Sequence, residues 1–347
     1  MNKITIIVPI YQVEDYIVEC ARSLVSQTNQ QFDVIFVNDQ TPDRSILFLE
    51  EYLQSSDPKF NWTIIHNQKN LGLSASRNKG ISFADTEFVM FLDSDDFIDP
   101  VMFEKILGQN DLIHGDIDII CYGFQLFNGI HIINSGTVKS TAPTFYTSDE
   151  AILAMFGNGD IDISACSKIF KSSLFKNTNI QFPVGVYYED VLTVCKLVQK
   201  ANKIVVIPYN FYTYRCARVG SIMNTYSEKH LRDNLGLMYD LELFFQEESS
   251  ILLSQEYNSD KFINVIEELL KLSQLYKQID NNGMTLFNQL QGGLALYYKR
   301  LDSNRYISLK FTLFYYYFRG SQKFLKWNYF RLNLCFNFIK LVKKLRK

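Results

Sequence analysis

The sequence predicts an α/β domain built on a largely parallel sheet, followed by a helical C-terminal region. Two observations carry that expectation. Over the first hundred residues, short continuous apolar runs alternate with segments of helical periodicity, the pattern of strands covered on both faces by crossover helices. After about residue 226 the strand signals stop and helical patterning takes over. A chain of 347 residues with 47% hydrophobic content can bury a sizeable core, and seven prolines are too few for a Pro-rich linker protein.

Ile4-Thr5-Ile6-Ile7-Val8-Pro9 reads as the first strand, and Val13–Ser26 repeats Ile17, Cys20, Ala21, Leu24 and Val25 at helical spacing. Phe32–Val37 reads as a second strand, and Asp43–Leu53 as a second helix with Asp43 as its N-cap. Trp62–His66, Ser74–Phe83 and Glu87–Leu92 continue as strand, helix and strand. Asp116–Phe127 and Ile130–Val138 suggest a hairpin about Asn128-Gly129, with Ser148 capping a helix over Asp149–Phe156. Glu189–Ala201 reads as helix, and Ile204–Arg215 as two short strands broken near Pro208. Helices over Glu228–Glu248, Ser259–Lys277 and Leu286–Arg300 precede the tail. The expected domains are therefore 1–225 and a helical 226–347.

The net charge of −2 hides a polarised molecule. Residues 310–347 hold ten Lys or Arg and no Asp or Glu, which leaves 25 basic against 37 acidic groups in the rest. Basic aromatic helices of this kind favour an anionic membrane surface, although a stripe of aromatics at helical spacing also suits a domain core. No uncharged run there, Leu332–Ile339 included, is longer than eight residues, too short to span a bilayer. The apolar run Ile4–Ile10 is too short for a signal peptide, six cysteines form no CxxC pair, and four histidines share no ligand-like spacing. A cytosolic protein with reduced thiols, peripheral at the membrane and without a zinc site, is expected; nothing points to nucleic acid.

Ligands of parallel α/β sheets bind beyond the carboxyl ends of the strands. Those positions read Pro9-Ile10-Tyr11, Asn38-Asp39-Gln40, Asn67-Gln68-Lys69-Asn70 and Asp93-Ser94-Asp95-Asp96. No GxGxxG, GxxxxGK[ST] or GxSxG is present, which weakens dinucleotide, P-loop and serine-hydrolase readings. An apolar strand running into three carboxylates within four residues is costly without a cation. Hard oxygen ligands with no His or Cys suit Mg²⁺ or Mn²⁺ bridging a diphosphate; a helix-capping cluster before Asp99–Leu107 is the plainer alternative. Glu189-Asp190 opens a helix, where the positive end favours an ionised carboxylate suited to a general base, or merely a stable first turn.

These segments together resemble the family 2 glycosyltransferases of GT-A fold. The resemblance rests on Ile6–Tyr11, Val37-Asn38-Asp39, Asn70–Gly80 and Asp93-Ser94-Asp95-Asp96, then on Phe182–Asp190 and Arg218–Ile222. It covers roughly residues 1–225. It implies that Pro9 and Tyr11 line the nucleotide base, that Asp39 accepts the uracil N–H, and that Arg77 meets the ribose or phosphate side of the donor. It further implies that Asp93 contacts the ribose or a metal-bound water, that Asp95 binds the metal, and that Asp190 is the general base. Arg77 would otherwise be a surface charge on the third helix; Arg215 and Arg218 would clamp the diphosphate or be loop solvation. One departure is plain: Asn38-Asp39-Gln40-Thr41 stands where the family has Asp-Asp-Gly-Ser, so the turn loses its glycine. The implied activity is inverting, metal-dependent transfer from a UDP-sugar to a lipid-linked glycan acceptor in bacterial surface-polysaccharide assembly. A nucleotidyltransferase and a non-catalytic carbohydrate-binding relative are the rivals.

Overall fold

The computed structural model describes residues 2–109, 116–133, 136–157, 160–216 and 227–246, with scattered positions between 254 and 296. The chain divides into two compact units, Met1–Met155 with Asp160–Val219, and Phe156–Gly159 with Gly220–Lys347.

The first unit opens with strands β1 (Ile4–Ile10), β2 (Asp33–Asn38), β3 (Asn61–His66) and β4 (Phe88–Phe91), separated by helices α1 (Ile17–Val25), α2 (Ser45–Ser56) and α3 (Leu73–Phe83). These four strands pair in parallel, β3-β2-β1-β4. Every residue of β1 and β4 is buried, which is why their apolar runs are continuous rather than alternating. Beyond β4 come β5 (Phe97–Ile98), α4 (Met102–Leu107), β6 (Ile119–Phe127), β7 (Thr144–Tyr146) and α5 (Ser148–Phe156). A short 3₁₀ turn (Ala165–Ser167) leads into β8 (Lys168–Lys171), then α6 (Ser173–Lys176), α7 (Glu189–Lys200) and β9 (Ile204–Arg215). Strand β8 inserts antiparallel between β4 and β6, so the full order is β3-β2-β1-β4-β8-β6-β9-β5, with β7 on β9. The sheet is thus mixed, and the α/β expectation holds.

Both strand prolines sit where no ladder bond is lost. Pro9 lies in buried β1, two residues beyond Ile7, whose carbonyl accepts Leu92 N–H. By the two-residue alternation its nitrogen faces the β4 side, past the last β4 pair at Phe91. Pro208, expected to break a strand in two, lies inside one continuous strand, β9. It falls where the β6–β9 register shifts between Cys121 and Gly123, and β7 and β5 pair only with residues before and after it.

The capping expectations need correction. Helix α2 starts at Ser45 rather than Asp43. Asp43 instead accepts hydrogen bonds from Ser45, from Thr41 and from the Glu14 amide, tying the loops after β1 and β2 together. At α5 the cap is Thr147, not Ser148: Thr147 and Glu150 bond each other reciprocally. The turn at Asn128-Gly129 forms, with Gly129 at φ +94° and Ile132 bridged to Phe127, but no second strand is described there.

In the second unit, helix α8 (Glu228–Phe244) opens with a capping box between Ser227 and His230. Phe245, Tyr257 and Phe156 pack edge to face with ring centroids 5.0–6.1 Å apart. Most of the helices expected over 259–277 and 286–300, and the whole tail 310–347, lie outside the described residues.

Helix α3 lies unusually close to β1. A Cβ built on Gly80 would stand 2.3 Å from Ile7 Cγ2, a contact that neither a buried strand nor a stiff β-branched side chain can relieve. The absent side chain at position 80 sets how near α3 comes to the sheet. Gly80→Val is expected to destabilise the first unit by on the order of 3 kcal/mol, read as a lowered midpoint in urea denaturation.

Candidate active site

The rim after β1, β2, β3 and β4 is polar, as the strand ends require. Tyr11 stands exposed just past β1, while Pro9 is buried. Asp39 is only 3% exposed. Its carboxylate accepts Asn67 Nδ2–H (2.7 Å), Leu71 N–H (2.8 Å) and Gly72 N–H (2.7 Å), binding the β2 end to the entry of α3. A carboxylate offers about four acceptor positions, so one is left for a donor from outside. Asn67 Oδ1, beside it, is buried without a hydrogen-bond partner.

The turn that lost its glycine keeps a glycine-like backbone. Gln40 sits at φ +55°, a left-handed conformation that costs a side-chain-bearing residue about 1 kcal/mol. Gln40 Nε2 donates to the Asn67 carbonyl at 2.8 Å, and Asn38 Oδ1 accepts Thr41 N–H at 2.9 Å, which hold the turn in that shape.

Arg77 is the hinge of the site. It is 3% exposed, on the inward face of α3 three residues before Gly80, and not a surface charge. Its Nη2 bonds Asp93 Oδ1 at 2.9 Å and its Nη1 bonds Glu189 Oε1 at 2.7 Å. The guanidinium carbon lies 5.8 Å from the Phe91 ring centroid and 5.3 Å from that of Phe182. Burial works against the charge, but Asp93, Glu189 and Asp190 outweigh it and hold Arg77 more firmly protonated than usual. Asn78, on the same helix, bonds the Phe182 backbone at both its amide and carbonyl, fixing that ring.

Within Asp93-Ser94-Asp95-Asp96 the three carboxylates have separate surroundings. Asp96 is buried: Tyr212 O–H donates to its Oδ2 at 2.6 Å and Arg215 N–H to its Oδ1 at 2.7 Å. Burial first, then Asp95 and Asp93, push the Asp96 carboxyl well above the usual range. Asp93 N–H donates to the Tyr212 oxygen, so one tyrosine from β9 braces both ends of the motif. Asp93 and Asp95 are only partly buried and face the rim. Their field is felt widely: burial followed by Asp96, Asp95 and Asp93 raises Tyr214 to about 12. Arg215, read from the sequence as a diphosphate clamp or loop solvation, pairs with Glu19 of α1, donates its Nε–H to the Asp95 carbonyl, and lies between the Tyr16 and Phe127 rings. Arg218 lies outside the described residues.

Asp190, in the first turn of α7, accepts one long hydrogen bond, 3.4 Å from Ala165 N–H. Burial and then Glu189 push its carboxyl up to about 7, against Arg77 and the Ala165 amide, with Asp162 adding to the rise. A carboxylate titrating there can hold or release a proton at neutral pH. Two neighbouring carboxylates are engaged, Glu189 by Arg77 and Asp96 by Tyr212 and Arg215. Sequence reasoning missed Tyr212, Glu19 and Ala165, none of which lies in a recognisable motif, and gave no role to Phe182 although it opens a family-like segment.

Among the described residues no three His, Cys, Asp or Glu side chains form a ready metal-holding group, and no helix is long and apolar enough to cross a membrane.

Residues 5–134 match the sequence profile of glycosyl transferase family 2. That segment is a family 2 glycosyltransferase domain. Among relatives, glycosyltransferase GlyA of Streptococcus pneumoniae is 27% identical over 280 residues, covering 78% of this chain and 38% of GlyA. The putative glycosyltransferase EpsH of Bacillus subtilis is 28% identical over 278 residues, 78% of this chain and 77% of EpsH. TarS of Staphylococcus aureus, a poly(ribitol-phosphate) beta-N-acetylglucosaminyltransferase, is 30% identical over 229 residues, 65% of this chain and 37% of TarS. The crystal structure of TarS 1–349 in complex with UDP-GlcNAc superposes with a TM-score of 0.57 at 21% identity, over 88% of this chain and 92% of that one. This likeness supports the GT-A fold. The chain spans little more than a third of GlyA and of full-length TarS.

In this family 2 domain, Arg77→Lys keeps the charge but cannot reach two carboxylates in a planar fork. It is expected to lower stability by about 3 kcal/mol, the cost of one buried charge left without its partner. Chemical denaturation of the two proteins measures it.

Proposed function

We propose that the protein is an inverting, metal-dependent glycosyltransferase that moves a sugar from a UDP-sugar to a hydroxyl of a glycan acceptor. The observation that carries this reading is Asp190: a carboxylate titrating near neutrality at a helix start, linked through Arg77 to the acidic rim motif. Tyr11, two residues past buried Pro9, offers an exposed aromatic face to the uracil, and the remaining acceptor position of Asp39 suits the uracil N–H. Asp93 and Asp95 present hard oxygens in a strongly negative field, a donor set that fits Mn²⁺ or Mg²⁺ shared with the diphosphate. Such a cation, when bound, neutralises charge on the departing diphosphate.

Asp190 accepts the proton of the acceptor hydroxyl as that oxygen bonds to the anomeric carbon. The bond from that carbon to the diphosphate oxygen breaks on the opposite face, and UDP leaves with the electron pair. One displacement inverts the anomeric configuration. Arg77 keeps Asp93 and the start of α7 in fixed relation, so donor and base are held at one spacing. The complex of TarS with UDP-GlcNAc supports the donor class, and the poly(ribitol-phosphate) substrate of TarS supports a surface-polysaccharide setting. A lipid-linked acceptor at the cytosolic face of the inner membrane rests on the basic, aromatic tail.

UDP release across a panel of UDP-sugars, with and without Mn²⁺, tests the reading. Release is expected from one donor, only with the cation, and is lost in Asp95→Ala; no release from any UDP-sugar overturns it. Asp190→Asn keeps the side-chain volume but cannot take a proton, so kcat is expected to fall by roughly 10²–10⁴ with donor affinity nearly unchanged. In the wild type, kcat/KM should rise with pH and level off above about 7, as Asp190 loses its proton. The sign for stability is opposite: the folded state holds a proton that the unfolded chain releases near 3.8, so stability falls as pH climbs from there toward 7.

Removing residues 320–347 is expected to release the protein from anionic vesicles, since each basic residue near the surface contributes about 1 kcal/mol. Turnover on a short soluble acceptor should persist. Co-sedimentation with anionic and neutral vesicles, beside the soluble assay, checks both statements.

A further inference from the structure

Lys168 opens β8 and is fully buried, at 0% exposure. A buried ammonium normally sits against a carboxylate. This one does not. Its Nζ donates to the carbonyls of Asp162 and Ser164 (2.8 Å to the latter) and to Ser167 Oγ (3.1 Å). All three acceptors belong to one six-residue stretch, 162–167, which curls around the ammonium. The same stretch is further stitched by Ser167 Oγ–H to the Ser164 carbonyl, by Ser164 N–H to Asp162 Oδ1, and by Tyr122 O–H to the Cys166 carbonyl.

This stretch matters because of where its amides point. β8 runs antiparallel to β4, with Ile169 opposite Met90, so Lys168 and the turn before it stand at the carboxyl end of β4, beside the acidic motif. Ala165 N–H, from the middle of the turn, is the hydrogen-bond donor to Asp190 Oδ2. The neighbouring thiol of Cys166, raised chiefly by burial and next by Asp93, places the turn against the donor-side motif as well.

We propose that Lys168 is a positioning residue for the base: its ammonium gathers the 162–167 turn and thereby sets the Ala165 amide against Asp190. This rests on the assignment of Asp190 as the general base. The groups that face Asp190 are Glu189 on its own helix, Arg77 from α3, and Asp162 with the Ala165 amide from this turn. Of these, the amide and Arg77 favour the ionised form, while Glu189 and Asp162 oppose it. Loosening the turn removes a stabiliser of the carboxylate, so Asp190 should hold its proton to higher pH.

The test is a pH–rate profile of Lys168→Met, which keeps the length and apolar stem, and of Ser167→Ala, which keeps the ammonium but removes one acceptor. Both are compared with Asp190→Asn, with folding followed by thermal denaturation. The expected result is a kcat/KM at pH 7 lowered by about tenfold in Lys168→Met. Its acidic limb should move upward by roughly half a unit or more, and Ser167→Ala should show a smaller shift of the same sign. Because Ser167→Ala retains the charge, its shift reports position rather than a lost cation, and it decides alone if Lys168→Met does not fold. Limbs that stay in place in folded variants, or a shift in Lys168→Met without one in Ser167→Ala, overturn the proposal. Retained turnover in Asp190→Asn overturns the base assignment itself, and with it this inference; lost turnover there with unmoved limbs overturns the role of Lys168 alone.

Discussion

A guanidinium buried between two phenylalanine rings must find its counter-charges inside the protein, and the fold is arranged around that requirement. Arg77 finds them in Asp93, just beyond β4, and in Glu189, at the start of α7, 112 residues along the chain. Neither carboxylate would be tolerated there alone. The triad therefore locks two segments into one geometry: the loop that carries the acidic motif and the helix that carries Asp190. The close approach of α3 to β1, which only a glycine at position 80 permits, belongs to the same constraint. A bulkier helix contact would lift the guanidinium away from both partners.

Polar groups at the rim divide by what their bonds already do. Asp96, Tyr212, Arg215 and Glu19 form a closed chain that joins β9, the acidic motif and α1. Three of the acceptor positions of Asp39 shape the loop into α3. These are scaffolding carboxylates, although by residue type they look as reactive as any other. Asp190 differs in accepting a single long bond while two like charges press on it. Chemistry is read from this difference in satisfaction, since the residue types alone do not separate a brace from a base.

The same distinction explains what the sequence disclosed. The four parallel strands and the polar residues after each were legible because full burial forces continuous apolar runs and ligands gather at one end of such a sheet. Asp39, Asp93 and Asp95 could be singled out on that ground, and Asp190 by its place at a helix start and by the family resemblance. The pairing of Arg77 with Glu189 could not, because its two ends are far apart in sequence and each looks ordinary in its own helix. The pairing of Arg215 was hidden for a related reason: its partner, Glu19, lies in α1, 196 residues away. Pro208 suggested a broken strand because a proline removes a donor; only the register shift in β6 shows that no donor was needed. Lys168 carried a faint signal. In Lys168-Ile169-Phe170-Lys171 it shares a strand face with Phe170, and both are buried.

Conformational economy also shows at Gln40. The family's glycine would enter the left-handed turn at no steric cost, yet the side chain here performs a task that glycine cannot. By reaching the Asn67 carbonyl, it joins the turn after β2 to the end of β3. Asn67 in turn donates to Asp39 and to Ser76, in the first turn of α3. The backbone penalty at one residue is thus offset by a bond that ties together the loops on which the nucleotide would rest. Departure from the family pattern at this point alters how the turn is held, while leaving the position of Asp39 intact. A site of this kind tolerates exchange of a conformational specialist for a hydrogen-bonding one, provided that the carboxylate it presents keeps the same three amide partners.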